Sequence, residues 1–492
     1  MSQSINTNIS SLTAARNAAK VSGDLATSMA RLSSGLRINS AKDDAAGVAI
    51  VERFTSQIRG LNQAARNAND GISLAQTAEG ALGSMSSNLQ RIRELAVQAA
   101  NATNNASDRK ALQQEVSQLA SELDRVAKTT EFNGKLLFDG TFGSQSFQVG
   151  ANAGQIITTS MINARTTSIG NFAVGGSGLA ASTNGFGTNG IAAVTATISG
   201  SLGTKTVSVA ANQSARDVAA NINQVSGSTG VSATARTEVQ VAFGAAGAYA
   251  LDLRSDNGSL QRVSFTMTAS NTPDGLSSAL SAINEQLSKT GVQAALNANG
   301  DAIVLTNETG NDILVADTTT ANAGAVTVSK LNAAGQTTAA ATLAADTTAN
   351  NALSTGYITL DSDKSFSAVD SASGAFFGTT SQNATLNTVA SVDVSTFAGA
   401  SGALKIVDSA LQYLNTERAK LGALQARFES TVSNNNVAAE NLTASRGRIQ
   451  DADFAKETAA LSRAQVLQQA ANAMLAQANQ APQQVLQLLR GG

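Results

Sequence analysis

The stretch ANDGISLAQTAEGALGSMSSNLQRIRELAVQA, residues 68 to 99, decides the fold of this 492-residue chain. Its apolar residues recur at steps of three and four, which is the spacing of the buried seam of a coiled coil. They are Ala68, Ile72, Ala75, Ala78, Leu82, Met85, Leu89, Ile92, Ala96 and Ala99. The sequence therefore predicts a long helix whose apolar stripe is covered by other helices.

Two further stretches carry the same spacing. The first is Leu112, Val116, Leu119, Leu123 and Val126, and the second is Val407, Leu411, Leu414, Leu421, Phe428, Val432, Ala439 and Leu442. The polar break from Asn101 to Asp108 reads as the turn of an antiparallel helix pair. Such stripes are more often the core of a helical bundle than a ligand site. We therefore expect the two ends of the chain to meet in one discontinuous helical domain, with residues from about 175 to 400 inserted.

Both ends of the chain are amphipathic but uncharged, since no charged residue occurs from Met1 to Ala15 or from Ala464 to Leu489. An exposed helix normally presents a charged face, so these ends are predicted to be buried against copies of themselves. Glutamines and asparagines interrupt every apolar run, which excludes membrane insertion, and the Lys/Arg face of an interfacial helix is missing. The residues predicted to carry self-assembly are Ile5, Ile9, Leu12, Leu467, Leu475, Val485, Leu486 and Leu489.

The composition excludes several classes of function. The chain is 14% charged with a net charge of -2, and this balance gives no basic surface for nucleic acid. It has no Cys and no His, so disulfides, thiolate metal sites and the usual nucleophilic triads cannot be built. We interpret the cluster Asp451, Asp453 and Glu457 as a solvated helix face or as salt-bridge partners. The prediction is no enzyme, with no catalytic residue, metal or cofactor.

The segment SSGLRINSAKDDAAG, residues 33 to 47, predicts a joint between two helical layers. The helical pattern breaks at Gly35 and restarts with Ser40 and Asp43, spaced as a capping box. A β-hairpin is predicted near residues 132 to 150, because Asp139-Gly140 separates two β-prone runs at 135–138 and 146–149. The first residues lack the basic start and apolar run of a Sec-type signal, so any secretion would need another route.

The central segment is rich in Thr, Ser, Gly, Ala and Asn and repeats a pattern of strand, short helix and strand. The copies are Asp217, Ile222, Asn223, Thr229, Gly230 and Val231, then Asp274, Ile283, Asn284, Thr290, Gly291 and Val292. Disorder is the alternative for residues 321 to 351. The predicted fold class is α + β, a discontinuous bundle of long coiled-coil helices from both chain ends with an inserted β-rich region.

Five motifs resemble those of bacterial flagellin. They are INTNISSLTAARN at Ile5–Asn17, RLSSGLRINSAKDDAAGVAI at Arg31–Ile50, RNANDGISLAQTAEGAL at Arg66–Leu82, LQRIRELAVQAANATN at Leu89–Asn104, and the C-terminal SRGRIQDADFAKETAALSRAQVLQQAANAMLAQANQAPQQVLQLLR. The resemblance covers both helical ends. The centre resembles flagellin only in its position, its length class and its repeated pattern.

The resemblance implies a structural subunit that self-polymerises into the extracellular flagellar filament used for swimming. Residues 1–43 and 456–492 would line its channel, 44–177 and 402–455 would form the helical core, and 178–401 would form one or two β-rich surface subdomains. It further implies unfolded export through the flagellar type III apparatus, a chaperone on the C-terminal helix, and contacts with the flagellar cap and hook-junction proteins. The alternatives are a flagellin-like hook-filament junction protein and a coiled-coil enzyme or adhesin.

Three residues also match positions through which similar flagellins contact the flagellin-sensing Toll-like receptor of animal hosts. They are Arg91, Leu95 and Glu115. Arg91 and Leu95 are four residues apart and share a helix face. Because Leu95 lies off the predicted seam of Leu89 and Ile92, we expect it to be accessible. The alternative interpretation is that these residues serve subunit packing, and both roles are compatible.

Overall fold

The computed structural model describes residues 7–179, 181–183, 185–370 and 381–490, without the side chains of 339 and 481–490. These residues form two compact units. The first comprises the described residues of 1–77, 143–160 and 420–492, and the second comprises those of 78–142 and 161–419. Each unit draws on segments that are distant in sequence, as the apolar stripes at both ends of the chain predict.

Long helices dominate both ends of the chain. They and the shorter central helices are α1 Ile9–Ser34, α2 Ala45–Ala99, α3 Ala106–Thr129, α4 Ala215–Gln224, α5 Ser226–Thr229, α6 Pro273–Asn284, α7 Leu287–Thr290, α8 Phe397–Gln450 and α9 Phe454–Arg490, with a short 3-10 helix at Val389–Ser391. The predicted seam of residues 68 to 99 is buried throughout except at the half-buried Ile72. This burial confirms the stripe that the three- and four-residue spacing predicts.

The break between α2 and α3 is a capped turn. The side chain of Asn105 accepts hydrogen bonds from the backbone of Ser107 and Asp108 at 2.8 and 2.9 Å. The Asp108 carboxylate accepts in return from the Asn105 N–H at 3.1 Å. This reciprocal pair satisfies donors at the helix start that otherwise lack partners. The predicted polar break is therefore confirmed as the start of a second helix.

The strands lie mainly between residues 170 and 388. They are β1 Glu131–Phe132, β2 Lys135–Leu136, β3 Ser144–Gln148, β4 Ile156–Ser160, β5 Gly170–Gly175, β6 Val194–Gly200, β7 Gly203–Val209, β8 Ser232–Phe243, β9 Gly247–Arg254, β10 Gln261–Met267, β11 Gln293–Leu296, β12 Ile303–Asn307, β13 Ile313–Asp317, β14 Val326–Leu331, β15 Thr337–Leu343, β16 Asn351–Ser354, β17 Tyr357–Ser362, β18 Ser367–Asp370, β19 Ser381–Asn383 and β20 Thr385–Thr388. The β-rich centre thus follows the predicted fold class.

Antiparallel pairing organises these strands into several sheets. The largest has the order β11-β12-β8-β17-β5-β20, and β14 joins it by pairing with β8 on one side and β15 on the other. Two four-stranded sheets have the orders β10-β9-β13-β16 and β19-β18-β6-β7. Because β5 pairs with β17 and β20, the β-rich region begins at Gly170, before the predicted boundary at residue 178.

The predicted hairpin near residues 132 to 150 is in fact two separate hairpins. Strand β2 pairs back with β1 across Asn133 and Gly134, whose φ angles of 51° and 75° suit a tight two-residue turn. Strand β3 pairs forward with β4, which begins at Ile156. The pairing predicted across Asp139-Gly140 is therefore wrong, because the chain already reverses direction six residues earlier, at Asn133-Gly134.

The repeated central pattern is confirmed in atomic detail. Asn223 on α4 accepts from the N–H of Ala233 and donates to its carbonyl, both at 2.8 Å. Asn284 on α6 makes the same pair of bonds to Ala294, at 2.8 and 3.0 Å. Each asparagine ties a helix to the strand that follows the Thr-Gly-Val turn. The two copies are therefore structural repeats.

The structure overturns the disorder alternative for residues 321 to 351. This segment contains β14 and β15 and leads into β16. Val326 and Val328 are fully buried, and Leu343 is 1% exposed, in the same core as Phe243 and Tyr249. The surrounding loops lower the average hydrophobicity of the segment, so its composition does not show that two strands within it supply enough apolar surface to fold.

Candidate self-assembly surface

The two terminal helices, α1 and α9, pair side by side in antiparallel orientation. The Asn8 amide donates to the carbonyl of Ala478 at 2.8 Å near one end of the pair. Arg31 lies 4.0 Å from the carboxylate of Glu457 near the other end. Early residues of α1 thus meet late residues of α9. The described parts of the two uncharged stretches therefore pack against one another within a single chain.

A regular seam holds this pair together. Its members are buried or half-buried and follow alternating steps of three and four on both helices. They are Ser11, Ala14, Ala18, Val21, Leu25, Ser28 and Leu32 on α1, and Leu461, Ala464, Gln468, Ala471, Leu475 and Ala478 on α9. This is the spacing of a coiled coil, and its many small residues allow the helix axes to approach closely. The sequence-based prediction missed this seam because alanine and serine give a weak apolar signal.

Large apolar side chains remain on the outside of the pair. Of the fifteen that are exposed among the described residues, seven lie on α1 or α9, namely Ile9, Leu12, Met29, Phe454, Val466, Leu467 and Met474. Ile9 is 72% exposed and Val466 is 66% exposed. Single exposed apolar residues are common on protein surfaces, so it is the concentration of nearly half of them on two helices that makes these seven candidates for contacts with a second copy. We call these seven residues the outer apolar surface.

The predicted assembly residues divide between these two environments. Ile9, Leu12 and Leu467 belong to the outer apolar surface, whereas Leu475 is half-buried in the seam. Ile5 and the side chains of Val485, Leu486 and Leu489 lie outside the described residues. Three of the predicted residues are therefore open to a second copy, and one already stabilises the helix pair.

The predicted joint begins where α1 ends. Gly35 closes α1 in the left-handed conformation, with φ at 70° and its N–H donating to the Arg31 carbonyl at 2.9 Å. Beyond it, the Arg37 N–H donates to the carbonyl of Gln450 at 2.7 Å, and the Arg37 guanidinium donates to the carbonyl of Ile449. The connection after α1 thus lies beside the connection between α8 and α9.

The other half of the joint corrects the predicted capping box. The Asp43 carboxylate accepts from the backbone N–H groups of Ser40 and Asn39 at 2.9 and 3.1 Å, and these bonds lower its pKa. They close a turn that precedes the helix. Helix α2 begins only at Ala45, and the side chain of Asp44 caps it by accepting from the Gly47 N–H at 2.9 Å. The capping residue is therefore Asp44.

The predicted receptor-contact residues do not share one environment. The Arg91 guanidinium donates to a single carboxylate oxygen of Glu115 at 2.8 and 3.0 Å and to Glu94 at 2.9 Å. These hydrogen bonds, first that to Glu94, raise the pKa of Arg91. The side chains of Arg91 and Glu115 are 49% and 45% exposed.

Leu95, in contrast, is only 1% exposed. The prediction that it lies off the buried stripe is wrong, because neighbours on more than one side widen the buried face of α2 beyond a narrow coiled-coil seam. The ion pair to Glu115 joins α2 to α3, and Arg93 joins α2 to Asp408 of α8 at 2.6 Å. Arg91 and Glu115 therefore form an open charged pair without the apolar anchor that was expected beside them.

The described part of the chain offers little to other kinds of site. It contains no group of three or more acidic side chains placed to hold a metal ion. None of its helices is long and apolar enough to cross a membrane. In the acidic cluster, Asp453 caps α9 by accepting from the N–H groups of Ala455 and Lys456 at 3.0 and 3.2 Å. Its carboxylate therefore serves a structural purpose.

Comparison with known proteins gives a consistent result. The model of the bacterial flagellin N-terminal helical region matches residues 5–143, that of the C-terminal helical region matches 404–489, and that of the flagellin hook IN motif matches 197–247. The last match contains the first copy of the central repeat.

Relatives match along the whole chain. B-type flagellin of Pseudomonas aeruginosa is 45% identical and flagellin A of Vibrio cholerae serotype O1 is 34% identical, each over 100% of both chains. The solved structure of FliC from Burkholderia pseudomallei covers 73% of this chain and 99% of its own, with 22% identity and a TM-score of 0.31. The chain belongs to the bacterial flagellin family, whose members are structural components of the flagellar filament.

Proposed function

We propose that this chain polymerises into the flagellar filament through the outer apolar surface of its α1–α9 pair. The exposure of seven large apolar side chains on these two helices carries the proposal. Burying such groups against a second copy removes apolar area from water, at roughly 25 cal/mol per Å². Five of the seven residues, Ile9, Leu12, Val466, Leu467 and Met474, lie in the stretches without charged residues, so few ions are desolvated where these five meet a second copy.

Two deletions test this proposal. Removal of Val466 to Arg490 takes away part of the outer apolar surface and should abolish polymers in seeded electron microscopy. Removal of Gly170 to Thr388, joined by a short linker, takes away complete sheets and should leave polymer formation intact. Polymers from the first variant, or a folded second variant that no longer polymerises, would contradict the proposal that the terminal helices drive assembly and the β-rich region does not. Circular dichroism checks the folding of both.

The hook-filament junction protein remains the alternative. Full-length identity of 45% to a protein named flagellin supports the filament subunit. Purified protein added to short filament seeds separates the two. A filament subunit extends the seeds into long polymers by itself, whereas a junction protein adds a bounded number of copies. Seeds that stop growing while free subunits remain would favour the junction protein.

Export is proposed to occur in the unfolded state through the flagellar type III apparatus, which would place the protein outside the cell. The absence of Cys suits this route, because no disulfide has to form or be threaded. A cytoplasmic chaperone would cover exposed apolar residues of α9 such as Val466, Leu467 and Met474. A chain ending at Ser445 should lose chaperone binding in a pull-down. Flagellar cap and hook-junction proteins are the further proposed partners.

Recognition by the flagellin-sensing Toll-like receptor is proposed to use Arg91 and Glu115. Both are partly exposed, and the guanidinium can donate to a partner's acceptor. Arg91→Ala should weaken receptor binding by on the order of 1 to 2 kcal/mol. Arg125 is the matched control, since it is also exposed and pairs with Glu122 at 2.6 Å. Equal effects of Arg91→Ala and Arg125→Ala would refute a specific contact.

The buried Leu95 is not proposed as a direct contact. Its replacement by alanine should reduce the stability of the bundle, because a 1% exposed leucine leaves a cavity when truncated. Any loss of receptor binding in that variant should therefore track the loss of folded protein. A fully folded Leu95→Ala protein with impaired binding would reinstate the residue as a contact.

A further inference from the structure

All the sulfur atoms in this chain are methionine thioethers. It has six methionines and no Cys, and it also lacks His and Trp. Two-electron oxidants convert the methionine thioether to a sulfoxide, which turns a flexible apolar side chain into a polar one. In this chain the thioethers are therefore the sulfur groups through which such an oxidant acts.

The methionines differ sharply in exposure. Met29 on α1 is 57% exposed and Met474 on α9 is 64% exposed. Met85 and Met267, in contrast, are 0% and 2% exposed, and Met161 is intermediate. Met1 lies outside the described residues. The most accessible thioethers among the described residues thus lie on the outer apolar surface.

We propose that Met29 and Met474 are oxidation sites whose conversion to sulfoxide blocks polymerisation of the free subunit. The proposal rests on the proposed function, because it requires the outer apolar surface to be the assembly surface. Hypochlorous acid is the proposed oxidant. The sulfur gives up an electron pair and gains the oxygen, and the oxidant leaves as chloride and a proton, so one thioether and one HOCl yield one sulfoxide and HCl.

The local surroundings explain why a sulfoxide would be disruptive. Met474 shares a helical stripe with the exposed Leu467, two turns earlier, and the exposed Ala470, one turn earlier, and neither side chain offers a hydrogen-bond donor. A sulfoxide oxygen buried against this apolar stripe loses its hydrogen bonds to water, which costs free energy unless a donor such as the Gln477 amide, three residues later, replaces them. In the assembled polymer the same thioethers would be covered. Oxidation should therefore act on subunits before assembly and much less on finished filaments.

The first test maps the modification. Monomer is treated with limiting hypochlorous acid, and the peptides containing each methionine are quantified by mass spectrometry. Met29 and Met474 should be oxidised well before Met85 and Met267 in the same chain. Preformed polymer should protect the first two. Equal oxidation of all four, or no protection in the polymer, would overturn the proposal.

The second test measures assembly. Oxidised wild-type monomer should show a critical concentration for seeded growth raised at least about tenfold relative to its untreated sample, equivalent to about 1.4 kcal/mol per subunit. Met29→Leu/Met474→Leu, compared with its own untreated sample, should show no such rise. Met267→Leu is the matched control and should remain as sensitive as the wild type. Hydrogen peroxide in place of hypochlorous acid excludes chlorination of lysines.

The outcomes separate this inference from the proposed function. Untreated wild type that fails to polymerise would overturn the proposed function. Wild type that polymerises equally well before and after oxidation of Met29 and Met474 would overturn only the oxidation proposal. A similar loss in the double leucine variant would place the damage at another group and also overturn it.

Discussion

The contact between Gly71 and Phe428 gives a sharp test of how the first unit is packed. Phe428 is fully buried and meets the ring of Phe147 edge-on at 5.5 Å. A Cβ added at Gly71 would lie 2.6, 2.8 and 3.0 Å from three atoms of the Phe428 ring. Gly71→Ala should therefore destabilise the unit by about 1 to 3 kcal/mol, although alanine is the better helix former.

The sign of this effect should reverse when the ring is removed. Phe428→Ala alone should cost about 3 to 5 kcal/mol, because it leaves a cavity among Ala68, Val149 and Ile157. In that background the three close contacts of Gly71→Ala no longer exist. What remains is the helix propensity of alanine over glycine, worth about 1 kcal/mol in favour of folding.

The assay is a double-mutant cycle in urea followed by far-UV circular dichroism, which reports the long helices. The second unit contains all three tyrosines, Tyr249, Tyr357 and Tyr413. Tyrosine fluorescence is therefore an internal control, and the urea midpoint that it reports should not change. If Phe428→Ala does not fold, Phe428→Leu takes its place in the cycle. An equal cost of Gly71→Ala with and without the ring would refute the packing argument.

Further predictions concern the repeat, a buried lysine, the joint and the terminal helices. Asn284→Ala should cost about 1 to 3 kcal/mol by tyrosine-monitored unfolding, because both backbone groups of Ala294 lose their partner; an unchanged midpoint would contradict this. Lys330 is fully buried, and burial lowers its pKa from 10.5 to about 7. Between pH 7 and 10.5 the Lys330 amine is protonated in the unfolded chain and neutral in the folded one, so the free energy of unfolding should rise with pH from about 7 to 10.5. Lys330→Met should remove that rise in urea unfolding measured at several pH values. Gly35→Ala should destabilise the joint by roughly 1 to 2 kcal/mol and Gly35→Asn by less, since asparagine tolerates the left-handed conformation; equal losses in calorimetry would exclude backbone strain as the cause. Amide exchange of dilute monomer should show weak protection at Leu467–Leu475 and strong protection in polymer, and strong protection in both would show that the helix pair is stable alone.

Regular spacing made the helical part of the fold predictable. The seam of α2 and the capped turn before α3 follow from residue types at fixed intervals, and the central repeat follows from two matching sets of residues. The hairpin pairing did not follow, because two Xaa-Gly turns compete within eight residues, Asn133-Gly134 and Asp139-Gly140. Only the packed structure shows that the first one forms the turn.

The candidate surface was predictable in outline but not in detail. The absence of charged residues indicates that a helix is buried. The sequence of that helix does not show which of its apolar residues pack against a partner helix. Leu475 is half-buried in the seam between α1 and α9, whereas Leu467 is exposed on the outside of the pair. Leu95 shows the same limit, since its burial depends on how many helices surround α2. Burial set by several neighbours cannot be read from the period of one helix.

The composition of the α1–α9 seam links its stability to assembly. Five of the thirteen seam residues, Ala14, Ala18, Ala464, Ala471 and Ala478, are alanines, which bury less apolar area than larger residues would for the backbone that the pair orders. Larger residues such as Leu12 and Val466 stay outside, where they gain free energy only when a second copy covers them. The helix pair therefore has the features of an element that is marginal in the free subunit and stabilised by polymerisation. That arrangement suits the proposed export of the chain in an unfolded state.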